Sequence, residues 1–284
     1  MKYMGSKSRI AKAIVPIIQQ YIDDNKITNY IEPFCGGCNV IDKIKCDTRI
    51  ASDINPYLIA LLKRVQNKEL LYDEVSKELY DKVRDSFNNK DNAYADWEYG
   101  NIGFLASYNG RFFDGGYAKP GYEKLRNGGQ RYRDYYRESK DNILSQNLDG
   151  INFVNNDYRK LNVNSSLIYC DPPYANTKQF ANSLRFDHDE FWNYMRKWSE
   201  NNIVLISELN APEDFECIWE QSVSRSIKST DKSRDIEKLF VNKNCLVHNK
   251  KQIQQIKLQR ENAKSVKNDY VSVKPHQLLG GQEI

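Results

Sequence analysis

Short apolar runs alternate along the chain with longer stretches of helical periodicity. The apolar runs lie at residues 30–31, 50–51, 151–154, 167–170, 203–206 and 239–241. Runs of this length, separated by helical patterns, are typical of strands in a largely parallel sheet that helices cover on both faces. The pattern therefore predicts an α/β fold.

Three stretches carry the helical patterns that separate the strands. Apolar residues recur at helical spacing in residues 6–21. Asn55 as a cap, followed by Pro56 in the first turn, predicts a helix over residues 56–66. A capping box opens residues 187–201, with an Asp followed three positions later by a Glu.

The alternation of strands and helices stops over residues 66–147. This stretch is helical at first and then rich in glycine, tyrosine and arginine, which is typical of an insertion with its own role. We therefore divide the chain into a sheet domain formed by residues 1–65 and 148–250, an insertion at 66–147, and a basic, weakly structured extension at 251–284.

Composition is ordinary for a globular protein, with 284 residues of which 40% are hydrophobic. No stretch approaches the ~20 apolar residues of a membrane span, and the first ten residues lack the apolar region of a signal peptide. We therefore expect a cytoplasmic protein without a membrane partner.

The net charge of +4 is concentrated in two segments. Residues 117–140 hold seven Lys or Arg and three acids, with five tyrosines among them. Cations interleaved with aromatic rings suit phosphate contact and base stacking, so this segment favours nucleic-acid binding. The second basic run, residues 250–267, is better interpreted as a solvated face or tail.

Six cysteines are spread through the chain, and Cys35 and Cys38 form a CxxC pair. A structural zinc site would need a second pair, or histidines at ligand spacing, and the three histidines are isolated. We therefore expect packed or incidental reduced thiols and no metal.

Three predicted strands end in residues suited to ligand binding, and ligands bind beyond the carboxyl ends of parallel strands. The first strand runs into EPFCGGCN, where Gly36 and Gly37 allow a tight turn before an expected helix. The second ends at Asp53, an acid placed to accept hydrogen bonds from ribose hydroxyls, or alternatively to cap the helix that follows. The third ends at Asp171.

The sequence DPPY after the third strand has both a structural and a chemical explanation. Two prolines stop a strand, so the segment could be a plain turn. Alternatively, the Asp171 carboxylate and the Pro172 carbonyl can each accept one N–H of a planar amine while Tyr174 stacks on its ring. That arrangement would hold an exocyclic amine with its lone pair aimed at a methyl donor.

With these motifs the chain resembles the Dam-like, alpha-group site-specific DNA adenine N6-methyltransferases, over most of residues 1–242. The resemblance implies a Rossmann-like class I methyltransferase sheet, a mainly helical target-recognition insertion, S-adenosylmethionine as cofactor and N6 of adenine in double-stranded DNA as acceptor. With it we expect a monomer that acts in the nucleoid or in a phage-infected bacterial cell. It assigns catalysis to Asp171, Pro172, Pro173 and Tyr174. It assigns cofactor binding to Tyr3, Gly5, Lys7, Glu32, Pro33, Phe34, Gly36, Asp53, Asp157 and Tyr158.

The same resemblance implies that the target base is flipped out of the duplex into a pocket, with Tyr174 stacking on it. In the insertion, Tyr108 and Asn109 match the family's aromatic-Asn step, which enters the base stack, although a simple turn would also fit. Other candidates for DNA contacts are Lys7, Arg111, Arg126, Arg131 and Arg133.

One departure from the family pattern lies in the cofactor turn. The second glycine of FxGxG is Cys38 here, and we expect Gly37 beside it to absorb the resulting backbone strain. Because of this departure, a catalytically weak or silent relative that still binds DNA stays an alternative. A second alternative is an RNA or protein methyltransferase, since related sites act on other planar amines. A dehydrogenase is disfavoured because the turn lacks GxGxxG.

Overall fold

The computed structural model describes residues 1–125, 127–174, 186–223 and 235–245. These residues contain nine strands, seven of which form one sheet. The sheet strands are β1 (Asn29–Glu32), β2 (Thr48–Asp53), β5 (Ile151–Asn155), β6 (Leu167–Cys170), β7 (Ile203–Glu208), β8 (Phe215–Val223) and β9 (Asp235–Asn242). The other two, β3 (Gly121–Lys124) and β4 (Gln130–Arg133), form a separate antiparallel hairpin.

The sheet order is β5-β2-β1-β6-β7-β9-β8, with the first five strands parallel. Strand β9 lies between β7 and β8 and is antiparallel to both. The carboxyl ends of β1, β2 and β6 therefore meet at one edge of the sheet. This mostly parallel arrangement confirms the predicted Rossmann-like α/β fold.

Six α-helices lie among the described residues. They are α1 (Ala11–Asn25), α2 (Pro56–Gln66), α3 (Lys77–Asn89), α4 (Asp96–Gly100), α5 (Tyr135–Leu144) and α6 (His188–Trp198). The predicted start of α2 is confirmed, since the Asn55 side chain accepts hydrogen bonds from the backbone N–H groups of Tyr57 and Leu58. The start of α6 is confirmed too, because the Asp187 side chain accepts from the N–H of Glu190.

Two local predictions are wrong. The first helix begins at Ala11 rather than at residue 6, because Lys7–Arg9 form a 3₁₀ turn capped by Ser6. No α-helix follows the glycine turn after β1, where the structure has only the short 3₁₀ turn Ile41–Lys43.

Helices cover both faces of the sheet with fully buried apolar side chains. On one face, Ile14 and Ile18 of α1 and Leu58 and Leu62 of α2 are completely buried. On the other face, Phe191 and Met195 of α6 pack in a second core beneath β6 and β7. Burying such side chains contributes roughly 1.5–3 kcal/mol each relative to exposure in water.

The stretch predicted as an insertion holds α3, α4, the β3–β4 hairpin and α5, so it is mainly helical as expected. It packs closely on the sheet domain: a Cβ at Gly100, at the end of α4, would lie 2.2 Å from the backbone oxygen of Tyr57 in α2. The division into domains stays a prediction. The predicted extension at residues 251–284 lies outside the described residues.

Candidate active site

A cleft of about 2160 Å³ opens at the sheet edge where β1, β2 and β6 end. Pockets for drug-sized ligands are typically ~300–1,000 Å³, so this cleft has room for a cofactor together with a second ring system. Its lining includes every residue that the sequence assigned to catalysis or cofactor binding, and also Asn109 and Arg111. Tyr108, Arg131 and Arg133 are not part of this lining, and Arg126 lies outside the described residues.

Four side chains form a compact group at the end of β6, which we call the β6-end cluster: Lys7, Asp171, Tyr174 and Glu237. The Lys7 ammonium lies 2.8 Å from Asp171 Oδ1 and 3.7 Å from Glu237 Oε2. It also lies 4.2 Å from the centre of the Tyr174 ring, and the Tyr174 hydroxyl donates a hydrogen bond of 2.7 Å to Glu237. Lys7, predicted to contact cofactor and DNA, is thus 7% exposed and bound to the catalytic candidate.

Burial sets the protonation tendencies within the cluster. It raises the pKa of the Asp171 carboxyl, and the Lys7 ammonium opposes this shift by favouring the carboxylate. Burial, with the nearby Asp171 and Glu237 charges, raises the pKa of Tyr174, which therefore stays a hydroxyl donor. The arrangement can hold a positively charged nitrogen between a carboxylate and an aromatic face.

The glycine turn after β1 approaches the N-terminal segment closely. Gly36 has a φ of +44°, and a Cβ there would lie 2.9 Å from Cε1 of Tyr3. Its N–H donates a 3.1 Å hydrogen bond to Asp53 Oδ2, which ties the end of β1 to the end of β2. Glycine is therefore required here both by backbone conformation and by space.

Asp53 is held by the backbone and does not cap α2, since Asn55 has that role. Its Oδ1 accepts a 3.0 Å hydrogen bond from the N–H of Asn55. Burial raises the pKa of Asp53 to about 6, although its backbone hydrogen bonds act in the opposite direction. Each carboxylate oxygen keeps a further lone pair for a ligand in the cleft.

Cys38 itself, not Gly37, adopts the left-handed conformation in this turn. Its φ is +53°, whereas Gly37 is not among the positive-φ residues, so the expectation that Gly37 absorbs the strain is wrong. The Cys38 side chain is completely buried. Its packing offsets a backbone cost on the order of 1 kcal/mol for a non-glycine residue in this region.

Glu32 ends β1 with a buried carboxyl that accepts a 2.7 Å hydrogen bond from the Tyr30 hydroxyl. Burial raises its pKa to about 8, against the hydrogen bond from Tyr30, which lowers it. Glu32 lines the cleft, but only 3% of the residue is exposed and its carboxyl is bound to Tyr30 of the same strand.

Phe34, Tyr158 and Asp157 line the far side of the cleft. The rings of Phe34 and Tyr158 lie 5.2 Å apart and form an apolar wall. Asp157 caps the turn Tyr158–Lys160 and pairs with Arg159, whose hydrogen bonds lower the pKa of Asp157. The sequence reasoning missed Arg159, which also pairs with Glu190 at 2.9 Å.

The DNA-binding candidates of the insertion have different surroundings. Residues Tyr108–Gly110 form a short turn, which both interpretations of this segment allow. The Tyr108 ring is 48% exposed and so faces solvent. Arg131 and Arg133 of β4 are engaged by acids: both donate to Glu138, and Arg133 also donates to Glu123.

Besides Glu123, which pairs with Arg133, two more acids that contact predicted site residues were missed from the sequence. Glu237 lies 63 positions beyond Tyr174, on the antiparallel strand β9. Glu138 lies in the first turn of α5. Neither belongs to a motif, and only the tertiary structure brings them to their partners.

The described part of the chain offers no cluster of three or more His, Cys, Asp or Glu side chains that could hold a metal ion. Cys35 and Cys38 are buried free thiols. Nor does it contain a helix long and apolar enough to span a membrane.

Comparison with known proteins gives a consistent result. Residues 3–201 match the family model of the D12 class N6 adenine-specific DNA methyltransferases. The chain is 27% identical over 217 residues to the type II methyltransferase M.MjaIII of Methanocaldococcus jannaschii, covering 67% of this chain and 74% of that protein. It is 26% identical over 207 residues to a DNA adenine methylase of Vibrio cholerae serotype O1, covering 67% and 70%. With more than half of its length matched, the chain belongs to the D12 class N6 adenine-specific DNA methyltransferases.

Proposed function

We propose that the protein transfers a methyl group from S-adenosylmethionine to N6 of an adenine that is flipped out of double-stranded DNA at a short recognition sequence. One observation carries this proposal: Asp171 and Tyr174 at the end of β6 share a single cleft with the Gly36 turn and Asp53. Direct methyl transfer requires that the donor site and the acceptor site lie in contact.

The residues of the cleft fit S-adenosylmethionine. The Gly36 turn lines the cleft, and its φ of +44°, with the Tyr3 ring packed against it, fixes the backbone that a bound cofactor would contact. Asp53 would accept hydrogen bonds from the ribose hydroxyls, and the Phe34–Tyr158 wall would contact the adenine ring. When bound, this cofactor supplies an electrophilic methyl group on a sulfonium.

The β6-end cluster would position the acceptor amine. Asp171 accepts one N–H and the Pro172 carbonyl a second, so the nitrogen lone pair points toward the glycine turn. Tyr174 stacks on the base, a contact worth ~1–3 kcal/mol. As positive charge grows on N6, the Asp171 carboxylate stabilises it, and Lys7 must leave this carboxylate when the base enters.

The depth of the site supports base flipping. Asp171 is largely buried at the end of a central strand, where a base still stacked in a duplex cannot reach it. Extrusion costs a few kcal/mol, which stacking on Tyr174 offsets. The exposed ring of Tyr108 can fill the gap that the base leaves, and Asn109 and Arg111 at the cleft can contact the displaced strand.

Expression in a host that lacks adenine methylation tests this proposal in one step. Genome sequencing that detects modified bases should show N6-methyladenine in one short sequence context. Unmodified DNA despite folded, S-adenosylmethionine-binding protein would contradict the proposal. Competition of duplex DNA against RNA in a methyl-transfer assay addresses the RNA alternative, and duplex DNA is expected to compete more strongly.

A further inference from the structure

Glu138 pairs with three cations: Lys2 from the N-terminal segment, and Arg131 and Arg133 from strand β4. Its Oε2 accepts hydrogen bonds of 3.0 Å from both Lys2 Nζ and Arg133 Nε, and its Oε1 accepts one of 2.9 Å from Arg131 Nη2. The hydrogen bonds from Lys2 and Arg133 hold the pKa of Glu138 below its usual value, although burial acts in the opposite direction. Both carboxylate oxygens are thus engaged by positive charge.

This group, which we call the Glu138 cluster (Lys2, Glu123, Arg131, Arg133 and Glu138), links both strands of the hairpin to α5 and to the N-terminal segment. Arg133 also donates to Glu123, and its guanidinium lies 4.2 Å from the centre of the Tyr135 ring. That ring in turn lies 5.9 Å from the ring of Tyr108. Three cations against two carboxylates leave the cluster with a net positive charge beside an exposed aromatic residue.

The cations of the cluster remain accessible to a stronger anion. Arg131 is 62% exposed, and the side chains of Lys2 and Arg133 are about 30% exposed. Partly exposed ion pairs contribute only ~0–1 kcal/mol, so a DNA phosphate can compete with Glu138 for them. Every cation released to a phosphate strengthens binding to any sequence, because phosphate contacts carry no base information.

We infer that Glu138 is a specificity-determining residue, an inference that rests on the proposed function. By keeping Lys2, Arg131 and Arg133 in ion pairs, it limits sequence-independent phosphate contacts. It also fixes the planar fork of Arg133 over Tyr135, an orientation that suits readout of a base edge. Glu138 acts through these cations and has no part in methyl transfer itself.

The variant Glu138→Gln tests this role, because it keeps the side-chain shape and removes the charge. Binding to duplex DNA of random sequence is measured across a salt series, together with methylation at the recognition sequence and at sequences that differ from it by one base. We expect random-sequence affinity to rise roughly fivefold at low salt, with a slope of log K against log salt steeper by about 1–2. Methylation at the recognition sequence should fall relative to the one-base variants.

Glu78→Gln is the matched control, since Glu78 also pairs with a lysine, Lys82, at 2.9 Å, but on the exposed surface of α3. It changes net charge equally and should change neither the salt slope nor the sequence preference. Adding Arg131→Gln to Glu138→Gln should make the slope of log K against log salt less steep again, because the double variant lacks one of the released cations.

A purely structural role for Glu138 gives the opposite result. If the hairpin loses its order in Glu138→Gln, random-sequence binding weakens and the salt slope becomes shallower, which would overturn the inference, as would an unchanged slope and preference. These outcomes are distinct from failure of the proposed function, in which the unaltered protein itself leaves duplex DNA unmethylated.

Discussion

The Lys7 ammonium lies 2.8 Å from the Asp171 carboxylate and 4.2 Å from the centre of the Tyr174 ring. A lysine nitrogen therefore occupies the position between carboxylate and aromatic face that our proposal gives to the target amine. Because that amine becomes cationic as it is methylated, the contacts that stabilise Lys7 are of the kind that would stabilise the transition state.

Replacing the Asp171 carboxylate should lower methyl transfer while leaving S-adenosylmethionine binding intact. We expect Asp171→Ala to lower methyl transfer by at least ~10²–10³-fold, because the positive charge on N6 loses its counter-charge. The protein should remain folded, since Lys7 keeps Glu237 3.7 Å away as a partner. Single-turnover methyl transfer and calorimetric titration with S-adenosylmethionine measure the two properties.

The control for this variant is Asp214→Ala, which removes an exposed carboxylate paired with Arg196. It should leave both methyl transfer and cofactor affinity unchanged. Turnover by Asp171→Ala within a few-fold of the original protein would rule out the assigned role.

Two substitutions at Tyr174 distinguish its ring from its hydroxyl. Tyr174→Phe keeps the stacking surface and loses the 2.7 Å hydrogen bond to Glu237, so we expect a loss in kcat/KM of roughly tenfold or less. Tyr174→Ala removes stacking worth ~1–3 kcal/mol and should cost up to ~10²-fold more. Equal losses in the two variants would show that the hydroxyl, not the ring, is what matters.

Gly36→Ala should impair cofactor binding through geometry alone. The new Cβ would lie 2.9 Å from the Tyr3 ring at a backbone φ of +44°, so the turn must shift. We expect S-adenosylmethionine affinity to fall at least ~10-fold, since even a 1.4 kcal/mol distortion has that effect. Gly150→Ala is the control: its φ is +70°, but the nearest atom, Arg49 Nη2, lies 3.8 Å away. Calorimetric titration of both variants measures the difference.

Glu32 should make stability depend on pH. Burial raises its pKa from 4.5 to about 8, so the folded state retains a proton that the unfolded chain releases. The stability due to this proton is complete below about pH 4.5 and is lost as the pH rises to about 8. The Glu32→Gln variant has no such proton to lose. The Tm of the variant minus the Tm of the original protein should therefore increase from about pH 5 to about pH 8 and then stay constant.

Thermal unfolding of the two proteins over this pH range provides the measurement. The comparison cancels the contributions of other titrating groups, such as Asp53, because both proteins contain them. A Tm difference that does not change with pH would mean that Glu32 titrates near its ordinary pKa in the folded protein.

Much of the sheet could be predicted from sequence because its parallel strands contain short apolar runs bounded by polar residues, glycine or proline. Strand β6 is buried at all four positions, as is typical of a central parallel strand, and its short length and the two prolines after it indicate a strand and not a buried helix. Helix α2 was predicted over its full length, since Asn55 and Pro56 mark its start independently of tertiary contacts.

The elements that sequence did not predict depend on partners distant in the chain. Strand β8 mixes acids with aromatic residues and is fixed by its antiparallel pairing with β9. The β3–β4 hairpin is largely exposed, and the facing rings of Tyr122 and Tyr132, 5.3 Å apart, join its strands. Such cross-strand pairs leave no periodic signal in the sequence.

In the candidate site, too, residues marked by local sequence could be predicted, whereas contacts between distant parts of the chain could not. Motif residues such as Asp53 and Asp171 could be placed at strand ends because Asp53 is the last residue of β2 and Asp171 directly follows β6. The contact of Lys7 with Asp171 could not, since it depends on how the N-terminal turn folds across the sheet edge. The acids Glu138 and Glu237 gave no signal because an isolated glutamate is most often solvated.

Strand β9 has a consequence for how this protein could diverge from its relatives. The family match ends at residue 201, yet β9 runs antiparallel to β7 and so carries Glu237 to the edge where the parallel strands end. The part of the chain beyond the family match thus contributes Leu209 and Glu237 to the lining of the cleft. Substitutions there can alter the pocket around Tyr174 while every motif residue stays unchanged.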